Sequence, residues 1–247
     1  MLNGSTQIIA HVGYPTSTFK APMIYNPFFE SIGCNACVVP MGIRAENFAV
    51  VLPQIFAMSN VHGALITMPH KVSVLDLLDE MSVAVRVAGS CNAVRRRADG
   101  ALVGDMFDGE GFVRGLKRKG LPIRGQSALV VGAGGVGSAI AASLAEAGLA
   151  EIGLFDLNTA TVDGLAERLA LNYPALKIAT GGNDPSGFDI IVNATPLGMQ
   201  SGDPMPVDIS RISPTSFVGE VVMKQEMTAF LAAASARGCA VQVGIDM

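Results

Sequence analysis

Residues 64–71 read ALITMPHK, an apolar strand-like run that ends on Pro, His and Lys. Lysine and arginine together number 17 in 247 residues, and Lys71 follows the hydrophobic run closely. A lysine so placed is either a solvated surface charge or a proton-transfer group, since an ammonium held against a hydroxyl can exchange a proton with it. The apolar spacing from Pro69 to Leu78 predicts a helix, which would put Lys71 in its first turn. The helix dipole disfavours a cation there, so stability alone would not choose lysine.

A second stretch, SALVVGAGGVGSAIAASLAEAG, carries Gly132, Gly134 and Gly137 in G-x-G-x-x-G spacing after a strand and at the opening of a helix. Asp156 ends the next strand about twenty residues further on, the arrangement a dinucleotide site requires. Gly132 permits the turn, Gly134 lets the backbone approach a pyrophosphate, and Gly137 lets helix and strand pack closely. The loop residues Ala133, Gly135 and Val136 join them, with the helix N-terminus toward the phosphates. Asp156 can accept hydrogen bonds from ribose hydroxyls and repels a 2′-phosphate. Leu157, Asn158 and Thr159 follow without an arginine, so NAD is favoured over NADP.

Half of the residues are hydrophobic, 15% are charged and 28 are glycine, as a buried parallel sheet with tight turns demands. The net charge is −4. The only dense basic stretches, Arg95–Arg97 and Arg114 with Lys117, Arg118 and Lys119, read as a solvated strand and helix face, and nucleic acid is not expected as a partner. The N-terminus lacks a basic segment followed by a long apolar one, and the uncharged run from Gln126 to Ala145 is broken by four glycines. A cytoplasmic protein without a membrane segment is expected. Cys34 and Cys37 form a C-x-x-C that runs into a strand without a second ligand pair, so all four cysteines, with Cys91 and Cys239, are expected to be small buried hydrophobes; no metal site is expected. His62 and His70 are expected to be structural or surface residues.

These residues need a scaffold. QIIAHV, ACVVPM and GALIT read as buried strands, CNAVRRRADGALVG as a hairpin turned at Asp99-Gly100, and PMIYNPFFESIG and AENFAVVLPQIFAMSN as helices. DGEGFVRGLKRKG is a helix and LPIRGQS a hinge-like segment. Beyond it strands and helices alternate regularly: SALVV, EIGLFD, KIAT, DIIVNAT, SFVGEVV and AVQV, with helices to Gly148, to about Tyr173, and over TAFLAAASARG. The expectation is an α/β protein of two domains, an N-terminal domain with a mixed sheet over 1–104 and a doubly wound parallel sheet of Rossmann type over 105–247.

Four stretches, LITMPHK, GDMFDGEGF, VVGAGGVGSA and NATPLGM, in this order resemble the shikimate/quinate dehydrogenases, and the resemblance runs through nearly the whole chain. It implies an N-terminal substrate domain, a C-terminal NAD(P) domain, and hydride transfer between nicotinamide and a ring carbon bearing a hydroxyl. The family's lysine and aspartate fall on Lys71, in T-x-P-x-K, and Asp108, in D-G-x-G-F. On its own Asp108 reads equally as a helix cap. Thr67 and Asn92 match positions that hydrogen-bond the substrate ring. The resemblance also places Asn193, Thr195, Pro196, Val221 and Gly244 at the cofactor, and implies a monomer or homodimer with a small-molecule substrate.

The departures concern the substrate. Where the family holds a carboxylate with two serines, this chain has Phe19 and Ala21; Leu65 replaces an asparagine, Met106 and Phe107 replace the Asn-Thr before Asp108, and Met223 replaces a tyrosine. Lys20, beside them, is expected to be a solvated residue or an anion contact. Family members continue past Gly244 and Met247 into a helix carrying a substrate-binding glutamine, outside this sequence. Each replacement removes a hydrogen-bonding group, at about 1–3 kcal/mol for each substrate group left unsatisfied. The expected substrate is a small cyclic hydroxy acid, shikimate or quinate or a less polar analogue, with shikimate itself expected to bind poorly. The alternative is a non-catalytic NAD(H)-binding homologue.

Overall fold

The computed structural model describes residues 2–247. The chain forms two compact units, Met1–Met106 and Phe107–Met247.

In the first unit, β1 (Gln7–Gly13) lies between the parallel strands β2 (Ala36–Gly42) and β3 (Val61–Ile66). The sheet continues through β5 (Ala93–Arg96) and β6 (Leu102–Asp105) to the short β4 (Glu80–Met81). β5 and β6 are the expected hairpin, antiparallel and turned at Gly100, whose φ of +93° only glycine adopts readily. Ala10, Val12, Ala64, Ile66 and Val94 share one face and are at most 3% exposed. α2 (Phe48–Phe56) supplies buried Phe48, Leu52, Ile55 and Phe56. By register, His11, Leu65 and Ala93 occupy the other face. The helices α1 (Ala21–Ser31) and α3 (Val83–Ala88) complete the unit. Of the cysteines, Cys91 and Cys239 are buried as expected, whereas Cys34 lies exposed in the turn before β2 and Cys37 is half-buried on that edge strand.

The expected helix from Pro69 to Leu78 does not form. Residues 67–72 are a turn, followed only by a 3-10 segment, Ser73–Leu77. The reason lies in the backbone: the Lys71 carbonyl accepts from the Cys91 N–H (2.8 Å) instead of from a residue four ahead, and the His70 N–H closes a turn on the Thr67 carbonyl (2.9 Å). Lys71 therefore sits on a loop fixed by tertiary contacts, outside the first turn of any α-helix among the described residues.

The second unit is a wholly parallel sheet in the order β12-β11-β10-β7-β8-β9. Its strands are β7 (Ser127–Val131), β8 (Glu151–Phe155), β9 (Lys177–Thr180), β10 (Ile190–Asn193), β11 (Phe217–Glu220) and β12 (Ala240–Gln242). The helices are α4 (Asp108–Arg118), α5 (Gly135–Glu146), α6 (Thr159–Asn172) and α7 (Ala229–Ala236). From β7 the chain winds outward through β8 and β9, then returns to β10 and winds the other way. The reversal lies between β7 and β10, where a doubly wound sheet opens a ligand crevice at its carboxyl end. Among the described residues no helix is long and apolar enough to cross a membrane.

α4 and α5 pack at close range because Gly109 has no side chain: a Cβ there would collide with the Ala139 carbonyl and lie 2.6 Å from Ser143 Oγ. Gly109→Ala should cost about 1–3 kcal/mol of stability, the usual range for overpacking. Gly182→Ala, where nothing lies within 4 Å, should change it by less than about 0.5 kcal/mol. Denaturation followed by circular dichroism measures both.

Candidate active site

The first unit brings Thr67, Lys71 and Asn92 together through its backbone. The Thr67 N–H donates to the Val12 carbonyl (2.9 Å), the Ile66 N–H to the Asn92 carbonyl (2.8 Å), and the Asn92 N–H to the Asp105 carbonyl (3.1 Å). With the Cys91–Lys71 bond, these tie the loop after β3 to the start of β5. His70 anchors the turn from below. It is 1% exposed, its Nε2 is 2.7 Å from the Ile43 carbonyl oxygen, and its ring lies parallel on Phe48 with centroids 4.0 Å apart. Burial pushes the Cys91 thiol up to about 11, so it stays protonated and donates to the Ala93 carbonyl, as a structural cysteine does.

The positions expected to meet substrate divide by burial. Phe19, Leu65, Thr67 and Asn92 are half-buried, Lys20 is exposed, and Met106 is 3% exposed within the core of the unit. Phe19 stacks on His11, a residue that sequence reading passes over. Its signal is a histidine inside the otherwise apolar strand QIIAHV.

In the second unit the glycine loop leaves β7 at the crevice. Gly132 has φ +103°, and a Cβ on it would come within 2.8 Å of the Ala194 backbone; a Cβ on Gly137 would strike the Gly132 carbonyl. Gly134 and Gly135 are exposed at the opening of α5, with open space where a Gly134 side chain would be. The first-turn N–H groups of a helix lack intrahelical acceptors and suit a phosphate. Asp156 steadies the loop: its Oδ2 accepts from the Ala133 N–H (2.8 Å) and its Oδ1 from the Asn158 N–H (2.9 Å).

Opposite, after β10, Asn193 is fully buried and organises the next loop. Its Oδ1 accepts from Thr195 Oγ1 (2.6 Å) and the Thr195 N–H (3.1 Å), while its Nδ2 donates to the Leu197 carbonyl (2.9 Å). Between the loops lies a cavity of about 500 Å3 bordered by Gly132, Gly134, Asp156, Leu157, Thr195 and Pro196, and no cationic side chain lines it. These residues fit a dinucleotide: the backbone has room to approach phosphates and a carboxylate stands at the ribose position. Val221 is half-buried and bonds through its N–H to the Asn193 carbonyl (3.2 Å); Gly244 is buried beneath the Val222 carbonyl; Met223 is 68% exposed. Asp108 is the first residue of α4 with Phe107 at the cap, so its carboxylate stands in the first turn, where the helix dipole favours it.

Residues 12–94 match the family model of the shikimate dehydrogenase substrate binding domain, and residues 116–168 match that of the ThiF family, which spans the glycine loop. The NADP(+)-dependent shikimate dehydrogenase of Rubrobacter xylanophilus is 34% identical to this chain, over 98% of the chain and 87% of the relative. The chain belongs to the shikimate dehydrogenase family. Shikimate 5-dehydrogenase of Listeria monocytogenes, solved with shikimate and NAD, superposes with a TM-score of 0.92 at 27% identity, covering 99% of this chain and 88% of that one. The ligand-free 5-ketofructose reductase of a Gluconobacter strain gives 0.89, also at 27% identity, covering 99% and 89%. The mixed sheet and the Rossmann-type parallel sheet found here are thus the architecture of shikimate dehydrogenases.

Beside the site, Glu220 ends β11 fully buried, its Oε2 accepting from Thr228 Oγ1 (2.9 Å) and its Oε1 without a partner. Burial raises its pKa above the ordinary 4.5, against the opposing hydrogen bond from Thr228. A raised carboxyl pKa means the folded state holds the proton longer than the unfolded chain. Stability is then full below the unfolded value and is lost as pH rises through the folded one. Glu220→Gln, which keeps the shape without the charge, should therefore be more stable than the parent at pH 8. That advantage should vanish as pH falls toward 4.5. Thermal melts across this range give the comparison.

Proposed function

We propose that this chain is an NAD(P)-dependent dehydrogenase acting on a CH–OH group of a small cyclic hydroxy acid such as shikimate or quinate, or of a less polar analogue. The observation that carries this is the survival of T-x-P-x-K at 67–71 and D-G-x-G-F at 108–112 in a chain so similar over its whole length to a shikimate dehydrogenase. The neighbour named 5-ketofructose reductase supports a range that includes keto compounds without a carboxylate.

Bound NAD(P) supplies or accepts the hydride. The protein itself handles the proton: Lys71 takes it from the substrate hydroxyl in oxidation and returns it in reduction, and Asp108 orients the ammonium and the hydroxyl. Thr67 and Asn92 position the ring. Residues 132–137, Asp156, Thr195 and Pro196 would hold the dinucleotide, with Asn193 fixing the loop that carries Thr195 and Pro196, and Val221 and Gly244 completing the cofactor-binding set. Proton transfer by a positioned group is worth about 10²–10⁴ in rate. Lys71→Ala should accordingly lower kcat by at least about a hundredfold while NADH still binds, measured by NADH absorbance and by fluorescence titration. Undiminished turnover would remove Lys71 from this role.

NAD is the favoured cofactor. Asp156 follows β8 as the ribose-binding acid of a dinucleotide site would, Leu157 beside it is 93% exposed, and among the described residues no cation lines the adjoining cavity to receive a 2′-phosphate. The kcat/KM with NAD should exceed that with NADP by about tenfold or more, and Leu157→Arg should narrow the ratio by supplying the missing charge. A parent preference for NADP would overturn the assignment.

A further inference from the structure

Two buried histidines in the first unit differ in one respect. Both stack on a phenylalanine, but His70 has the Ile43 carbonyl as partner, whereas the Nδ1 of His11 is buried without a hydrogen-bond partner. His11 is 7% exposed, and its ring centroid lies 4.1 Å from that of Phe19 at an interplanar angle of 29°. Buried polar atoms are nearly always paired, so one that is not calls for a cause. Burial lowers the pKa of His11 from its ordinary 6.5, which leaves the ring neutral near pH 7.

The position of His11 supplies the cause. It pairs in register with Leu65, on the sheet face that leads to Thr67, and Gly13 follows two residues on. A Cβ on Gly13 would strike the Thr67 methyl and approach Phe19 Cζ to 2.9 Å. The imidazole, the Phe19 ring and Thr67 are thus gathered where the Lys71 turn begins.

We propose that His11 and Phe19 form a specificity wall that selects an uncharged cyclic hydroxy or keto compound, the imidazole pairing with a substrate hydroxyl and the Phe19 ring covering an apolar face. The inference rests on the dehydrogenase assignment above and names the substrate class of that same site. A neutral imidazole beside aromatic carbon offers a carboxylate little in return for the water it loses. A hydroxyl both donates and accepts, and so suits either tautomer. The cations nearby along the chain are otherwise placed: the Arg44 guanidinium lies over the Tyr14 ring, 5.4 Å from its centroid, and Lys20 is exposed at the start of α1. Lys71 serves the proton.

The test compares shikimate with methyl shikimate, the same ring with and without the charge, by calorimetric titration into the full chain in the presence of NADH. The ester should bind at least tenfold more tightly. His11→Val should weaken binding of both compounds at least tenfold, because both carry the ring hydroxyls that the imidazole pairs with, and His11→Gln, which restores a hydrogen-bonding group, should recover part of the loss. Tighter or equal binding of shikimate by the parent overturns the proposal, as does binding of neither compound or an ester affinity that His11→Val leaves unchanged. The parent comparison does not depend on either variant folding. Turnover in parallel samples with NAD in place of NADH separates the two assignments: an ester preference in binding without NAD reduction leaves the wall standing and withdraws the dehydrogenase assignment for these compounds, whereas NAD reduction without an ester preference does the reverse.

Discussion

Parallel pairing of β7 with β10 at the centre of the second sheet is the constraint from which the cofactor side of the molecule follows. Parallel strands buried on both faces have no room for polar side chains along their length, and Ala128 to Val131 and Ile190 to Val192 are at most 3% exposed. Polar chemistry is displaced to the carboxyl ends, where the chain turns away in opposite directions from the two neighbouring strands. There Gly132 and Asn193 each solve a backbone problem. Gly132 adopts a conformation closed to other residues, and Asn193 supplies from its side chain the hydrogen bonds that a tight loop cannot make for itself. The crevice is what these two solutions leave between them.

The first unit uses the same geometry at another scale. β1 and β3 are parallel, they end together, and the chain after β3 is captured by backbone bonds from Tyr14 and Cys91, so a short loop becomes a rigid mount for Lys71. Side-chain packing reinforces it: buried His70, satisfied by the Ile43 carbonyl and stacked on Phe48, holds the residue adjoining Lys71. A catalytic side chain on a loop needs such over-determination, because a misplacement of an ångström costs far more in rate than the supporting bonds cost in stability.

What the sequence discloses, and what it conceals, follows the range of the forces involved. The parallel sheet, the hairpin and the glycine loop are legible because period-2 burial, turn chemistry and G-x-G-x-x-G spacing are local. The segment after Pro69 misleads because its helical spacing is local while the bond that defeats it, from the Cys91 N–H to the Lys71 carbonyl, comes from twenty residues away. α3 is hidden because VAVRVA is β-branched, although its caps are visible: Ser82 accepts from the Val85 N–H (3.2 Å), and Gly89 has φ +65°. His11 escapes notice because nothing in QIIAHV tells which face of the strand will meet Phe19, a residue brought over it only by the chain's return into α1.

The two groups of site residues have therefore diverged to different degrees for a physical reason. The steps proposed for Lys71, Asp108, Thr67 and the glycine loop do not depend on what the rest of the substrate carries, since a hydride and a proton must be exchanged whatever the ring bears. Phe19, Ala21, Leu65 and His11 would, as proposed, meet only what distinguishes one substrate from another, and a hydroxyl or amide there is useful only if the ligand offers a matching group. Once the ligand lacks it, a serine or asparagine becomes a desolvated polar group without a partner, at about 1–3 kcal/mol each, and an apolar replacement is favoured. The stacking of Phe19 on His11 is the arrangement such a pressure would leave if, as proposed, the substrate is uncharged with one hydroxyl still to be recognised.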